Sequence, residues 1–459
     1  MRQSQKTEQL ADHLSKIDLE DRTYTGARSI AFGDNQDMDV TLQDLVLDRN
    51  NLNRAYLQVK KNRGAAGIDG MTVDELLQYL RENKDELITG LKTSSYKPFP
   101  VKRVNIPKPN GGIRKLGVPT VVDRVIQQAL AQVLSPIFER VFSDNSYGFR
   151  PNRSAHDAIH KVEEIYNHGY HYVVDLDLTA YFDNVNHDLL IKFIQQYVTD
   201  PWVLKLIRKF LTSGVMDQGL FVRSDKGTPQ GGPISPLLAN VYLNELDKEL
   251  TRRGHYFVRY ADDCNIYVKS PRAGERVTRS ITKFLETKLK VKVNKDKTKI
   301  GSPLRLKFLG FSLVGGRDGA HARPANEAKR KVKQELKRIT RRNRGVSLTR
   351  MFKEINQKMR GWLQYYSIGQ MRSFIQRLDQ WLRSRIRQYI WKQWKKFKTK
   401  VTNLQKLGLS KTDAYTFAST RKGYWRTAHG KTLCYTLTNK KLESLGLINL
   451  SQTLQLIQK

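Results

Sequence analysis

The chain has 459 residues, with 81 Lys+Arg against 44 Asp+Glu, a net charge of +37 and a sequence pI near 10.1. So large a cationic excess favours a polyanionic partner, because each phosphate neutralised releases counterions. Two cysteines exclude a disulfide framework or a four-cysteine zinc site, no apolar run of about 18 residues is present to span a bilayer, and the N-terminal MRQSQKTEQLADHL lacks an apolar signal core.

Taken in chain order, residues 1–50 carry 6 Lys+Arg and 10 Asp+Glu, which reads as a poorly ordered extension or at most a weak helix, EQLADHLSKI. Helical stretches LNRAYLQVKKN, VDELLQYLREN and RVIQQALAQVL then alternate with the β-rich VKRVNIP and HYVVDLDL. Two Pro/Gly-rich stretches read as loops, IPKPNGGIRKLGVP from Ile106 to Pro119 and KGTPQGGPISP from Lys226 to Pro236. From Val174 the order strand, helix, loop, helix, strand hairpin predicts an antiparallel α+β unit rather than a doubly wound parallel sheet. Residues 321–400 hold 24 Lys+Arg against 4 Asp+Glu. Apolar residues there recur at helical spacing, Leu378, Trp381, Leu382, Ile386, Tyr389, Ile390, Trp394 and Phe397. Arg383, Arg385, Arg387, Lys392 and Lys395 fall between them, so one face would pack while another presents cations to nucleic acid. Trp362, Tyr365 and Tyr366 read as core.

Two segments concentrate carboxylates. In YHYVVDLDLTAYFDNVNH, a strand period of two puts Val174, Leu176 and Leu178 on one face and Val173, Asp175 and Asp177 on the other. In VRYADDCNIYVK, Asp262 and Asp263 sit where two β-rich runs meet, either as an ordinary turn or as charges held at a strand end. Carboxylates on an apolar strand need an offset. A divalent metal supplies one, and two such ions about 3.5–4 Å apart suit in-line phosphoryl displacement. Periodicity does not separate Asp175 from Asp177.

These motifs carry a resemblance. YADD, DLDLTAYFD and GTPQGGPISPLLANVYLNELD resemble the palm motifs of reverse transcriptases. SYGFRPNRSAHDAI, VNKDKTKI and KFLGFSL resemble blocks of the group II intron branch, and INQKMRGWLQYYSIG with the basic helix resembles its maturase thumb. The match runs from about Leu42 to the C-terminus, closest to the compact bacterial class C members that lack an HNH endonuclease. The resemblance implies that Asp177, Asp262 and Asp263 hold two Mg²⁺ ions and that Phe182 excludes a ribose 2′-hydroxyl. It implies that Lys108 and Arg114 hold the incoming triphosphate, that Gln230 lines the nucleotide site, and that Lys297 lies near the triphosphate as a proton donor. His187 and His156 are expected to make structural hydrogen bonds, and Cys264 to be a small buried residue.

The expected architecture is a right-hand α+β polymerase. Residues 1–41 form an extension, 42–171 the N-terminal part and fingers, 172–316 the palm with remaining fingers elements, 317–400 an α-helical thumb or maturase domain, and 401–459 a DNA-binding region. The implied activity is RNA-directed DNA synthesis with dNTPs on an RNA template and DNA primer, joined to binding of a group II intron RNA for splicing and insertion into target DNA. Priming from an existing DNA 3′ end and a bacterial cytoplasmic location are further expectations. Two alternatives share the sequence: a non-catalytic RNA-binding splicing factor, and a domesticated or defence-associated reverse transcriptase.

Overall fold

The computed structural model describes residues 40–107, 111–228 and 231–458, so the expected helix EQLADHLSKI and the site candidates Lys108 and Gln230 lie outside the described residues. Helices Arg49–Asn62, Leu76–Lys92 and Val121–Glu139 cover the three helical stretches of the N-terminal half. The first and third begin on Asp48 and Thr120, whose side chains accept from N–H groups of the first turn. The strands are β1 (Val101–Pro107), β2 (Ile113–Val118), β3 (Tyr172–Leu176), β4 (Val215–Asp217), β5 (Leu220–Val222), β6 (Tyr256–Tyr260), β7 (Asp263–Val268), β8 (Lys299–Gly301), β9 (Phe311–Gly316) and β10 (Gly319–Pro324).

The stretch Ile106–Pro119 is not all loop. Its second half is β2, antiparallel to β1 in register from Lys102–Val118 to Pro107–Ile113. The Pro/Gly punctuation marks only the connection, and IRKLGV beyond it is an ordinary strand sequence. These two strands and the hairpin β4–β5 form a sheet of order β2-β1-β4-β5, the fingers sheet of a right-hand polymerase.

The palm sheet has the order β6-β7-β3-β8 with every neighbour antiparallel. Both of its faces are covered. Val174, Leu176 and Leu178 enter a core shared with the helix Ser235–Arg252, whereas Val173 enters a second core with the helix Ala155–Asn167 and the hairpin β9–β10. The period-two reading of this segment is therefore what the packing uses. Val173, Val174 and Leu176 are essentially inaccessible, and each such burial contributes about 1.5–3 kcal/mol.

A third core runs from Val332 to Leu454. It unites the helices Asn326–Ile339, Leu348–Tyr366 and Arg372–Gln393 with the short helices that follow residue 400. Leu378, Leu382, Ile386, Tyr389 and Ile390 are buried as their spacing predicts, Trp381 and Trp394 are partly buried, and Phe397 is exposed. Trp362 and Tyr366, both partly buried, pack ring to ring at 4.6 Å, and Tyr366 lies 4.9 Å from Phe311 of the palm, whereas Tyr365, expected in the core, is exposed at the edge of the same cluster.

The cationic face expected of this helix is corrected by the packing. Arg383 is 2% exposed and pairs with Asp379 at 2.6 Å and Glu443 at 3.0 Å. Arg387, also buried, donates to the Leu437 carbonyl at 3.0 Å. Arg385 is half-buried and donates to the carbonyls of Lys337 and Thr340, finishing the helix Asn326–Ile339. Residues 437–443 lie against the face that periodicity leaves to solvent, and a buried guanidinium persists only with partners. Lys392 sits 5.2 Å above the Tyr424 ring. Lys395 alone of the five is fully on the surface.

Candidate active site

The site is built where β3 and β7 end side by side. Leu176 pairs with Cys264, so the next pair along the same register is Asp177 and Asp263. Tyr260 pairs with Asp263 to close the β6–β7 hairpin, leaving Ala261 and Asp262 as a two-residue turn. Ala261 takes φ +58°, the left-handed conformation that tight hairpins demand at that position and usually give to glycine. The turn reading and the charge-holding reading of the aspartate pair are thus both true: Asp262 is in the turn, and Asp263 opens the strand.

Asp177 is bracketed by the segment that follows the helix Pro271–Thr287. Its N–H donates to Thr298 Oγ1 at 3.3 Å, and its carbonyl accepts from the Asn294 N–H at 2.8 Å. Leu178 bridges Val293. Lys297, from the same segment, brings its Nζ to 3.8 Å from Asp177 Oδ2. That oxygen is buried and accepts no hydrogen bond among the described residues, so the Lys297 ammonium, beyond hydrogen-bond distance, is the charge that offsets it.

Charge repulsion marks the rest. Burial, then Asp177, pushes the Asp175 carboxyl up to about 6, with Lys299 and Lys307 opposing. Asp263 reaches solvent, yet the packed protein around its carboxyl, then Asp262, Asp175 and Asp177, pushes it up to about 6 as well. Among the described residues no three His, Cys, Asp or Glu side chains are arranged to hold a metal by themselves. An oxygen-preferring Mg²⁺ takes one or two protein carboxylates and completes its shell with water and substrate phosphates, so the donor set, with an Asp177 oxygen that accepts no hydrogen bond, fits such an ion.

Phe182, half-buried, stands one turn beyond and packs edge-on to Tyr181 at 5.3 Å. Its carbonyl accepts from the Thr228 N–H at 2.7 Å, which ties the glycine-rich loop to it. Gly227 has φ +91°, and a Cβ there would lie 2.9 Å from the Phe182 carbonyl oxygen. His187 Nε2 meets the Gly227 carbonyl at 2.6 Å, and His156 Nε2 meets that of Tyr365 at 2.7 Å, so both histidines are structural. Arg114 is exposed on β2. Cys264 is buried under the hairpin.

A supporting network escapes residue-by-residue reading of the sequence. Arg259, wholly buried in β6, donates to both oxygens of buried Asp247 at 2.7 and 2.6 Å, to Asn240 Oδ1 at 3.0 Å and to the Ala261 carbonyl at 2.9 Å. Asn240 in turn donates to the Gly148 carbonyl at 2.8 Å. A Cβ on Gly148 would lie 2.3 Å from the Ala261 nitrogen. The available signals were an arginine within an apolar strand beside the aspartates, and Asn240 and Asp247 two turns apart on one helix.

Known proteins place this architecture. Residues 106–313 match the reverse transcriptase (RNA-dependent DNA polymerase) family, and residues 329–408 the group II intron maturase-specific domain. The class is therefore a reverse transcriptase palm followed by a maturase domain. Protein YkfC of Escherichia coli (strain K12) is 36% identical over 52% of this chain and 73% of its own length. The group II intron-encoded protein LtrA of Lactococcus lactis subsp. cremoris is 31% identical over 60% of this chain and 57% of its own, so the chain spans little more than half of that relative. The COX1/OXI3 intron 1 protein of Saccharomyces cerevisiae, itself named as putative, is 30% identical over 58% of this chain and 31% of its own. The chain belongs to the group II intron-encoded reverse transcriptase family. No helix among the described residues is long and apolar enough to cross a membrane.

Proposed function

We propose that this chain copies an RNA template into DNA by extending a DNA primer with dNTPs, and that it binds its group II intron RNA to promote splicing and insertion into target DNA. The observation that carries the reading is the alignment of Asp177 with the Asp262–Asp263 hairpin at adjacent strand ends, with one Asp177 oxygen buried, free of hydrogen bonds and facing only the Lys297 ammonium. Mg²⁺ on Asp177, Asp262 and Asp263 would supply Lewis acidity to the attacking 3′-hydroxyl and neutralise the phosphates. The ammonium of Lys297, beside Asp177, suits proton delivery to the leaving pyrophosphate. Phe182, tied to the glycine-rich loop, closes the sugar side against a 2′-hydroxyl. Arg114, exposed on β2, and Lys108 would hold the triphosphate, and Gln230 would line the nucleotide site. We divide the chain accordingly into fingers within 42–171, palm 172–316, thumb 317–400 and a DNA-binding region 401–459.

Primer extension on an RNA template with Mg²⁺ and dNTPs tests this, with wild type and Asp262→Asn in parallel. Product from wild type alone, at similar RNA affinity in both, is the expected result; full extension by Asp262→Asn would remove the carboxylate assignment. Phe182→Ala should admit ribonucleotides, and unchanged sugar discrimination would place the gate elsewhere.

A further inference from the structure

A cavity of about 930 Å³ opens between the β9–β10 hairpin and the start of the helix Arg372–Gln393, with Ile457 and Gln458 along one side. Four cations line it: Arg323 from β10, Lys329 from the helix Asn326–Ile339, and Arg372 and Arg377 from the helix Arg372–Gln393. Among the described residues no Asp or Glu lines it. The nearest acid in sequence to Lys329, Glu327, is already taken by Lys307 and Lys331. What three of them touch is neutral. Arg323 Nε lies 3.3 Å from Ser312 Oγ, Arg377 Nε donates to the Ser373 carbonyl at 3.2 Å, and Lys329 Nζ sits 5.6 Å above the Phe374 ring.

The cost of this arrangement is visible in Lys329, whose ammonium pKa is lowered by burial and then by Arg323 and Arg377. Cations from three elements converge on one cavity with no Asp or Glu of the described residues among them, which folding alone does not reward. The helix that supplies two of them begins at Met371 without a side-chain cap, so its first turn adds N–H donors and a positive dipole end to the same space. Arg372 and Arg377 are exposed at the rim and Arg323 and Lys329 partly buried below them, and guanidinium forks, an ammonium and amide donors are the groups that recognise phosphate oxygens.

We infer that this cavity is a phosphate socket that holds backbone phosphodiesters of the RNA bound by the chain. The inference rests on the proposed RNA-binding function and adds to it a place, at the seam of palm and thumb, outside the aspartate site. It also relocates the thumb's RNA contact from Arg383 and Arg387, which are spent internally, to Arg372 and Arg377 on the first turns of the same helix.

The test compares wild type, Arg372→Gln/Arg377→Gln and Lys283→Gln/Lys288→Gln, the last an equal loss of charge from exposed palm lysines. RNA affinity is measured across a salt series, with thermal melts confirming that all three fold alike. Each phosphate contact contributes about 0.7–0.9 to the slope of log K against log salt. The arginine pair should lower that slope by about 1–2 and weaken binding about tenfold near 0.15 M salt, against about twofold for the lysine pair. A single methylphosphonate linkage scanned along the RNA should weaken wild type at one or two positions and leave the arginine variant indifferent there. Failure of wild type to bind RNA would sink the functional reading itself. Binding by wild type with the arginine pair tracking the lysine pair would overturn the socket alone. Inorganic phosphate raising the melting temperature of wild type and not of the arginine variant, with RNA affinity unchanged, would overturn the RNA assignment in favour of a free-anion site.

Discussion

Arg259 is the residue on which the aspartate turn rests. Its guanidinium satisfies Asp247, Asn240 and the Ala261 carbonyl at once, with no exposure of Arg259 or Asp247. Arg259→Met should therefore leave Asp247 charged and unpaired, at a cost of about 3–5 kcal/mol. The double variant Arg259→Met/Asp247→Leu removes both charges and should recover most of that loss in a thermal melt, because a buried pair is often replaceable by apolar side chains. Its cDNA synthesis should stay depressed, since Ala261 has still lost its donor; wild-type kcat in the double variant would show that the turn holds itself. Asp263 shows the opposite balance. Its carboxyl is raised from 3.8 to about 6, so without metal the native state binds its proton more tightly than the unfolded chain does. Stability contributed by this group then falls as pH rises from about 4 to about 6. Asp263→Asn should melt higher than wild type at pH 7 in chelator, with the gap closing towards pH 4, while primer extension is lost. A variant no more stable than wild type at pH 7 would remove the repulsion argument.

At the scale of elements, the hairpin β6–β7 is aimed by what lies against it. Gly148, in the segment SYGFRP, approaches the turn so closely that Gly148→Ala would push on the Ala261 nitrogen. A displacement of about 1 Å at a reacting site costs on the order of 10²-fold. We expect a loss of that size in kcat together with a lowered melting temperature, because the new methyl meets only backbone and such overpacking costs about 1–3 kcal/mol; unchanged kcat would show that the turn yields without consequence. The sequence made the hairpin, the aspartate-bearing strand and the three N-terminal helices legible, because each is specified by its own periodicity and flanking residues. It did not reveal β2, whose pairing with β1 depends on a partner rather than on its own Pro/Gly surroundings. It misread Arg383 and Arg387 for a related reason. Helical periodicity identifies the apolar stripe, but only the course of residues 437–443 decides that a second, polar face is also covered. The Arg259–Asp247–Asn240 network was hidden likewise, since it joins a strand to a helix and neither half explains itself alone.

At the scale of the whole molecule, the three cores divide the chain differently from the domain scheme read in the sequence. Palm and fingers share one core, while the thumb and the residues after 400 share another. Leu404, Leu433, Leu442, Leu450 and Leu454 are buried in the same cluster as Leu382 and Ile386, and Glu443 completes the partners of Arg383. A chain ended at residue 400 would lose these contacts, leave Arg383 with Asp379 alone and open the apolar side of the helix Arg372–Gln393. We expect hydrogen exchange in that truncated chain to show the helices Leu348–Tyr366 and Arg372–Gln393 losing protection, and β3 and β7 keeping theirs, because the palm strands are buried in the other two cores. RNA affinity should fall with the thumb, since two of the four cations of the palm–thumb cavity, Arg372 and Arg377, sit on the helix that unravels. Full protection of Arg372–Gln393 after truncation would instead make residues 401–459 a separable domain, and would return the loss of any DNA-binding activity to that segment alone.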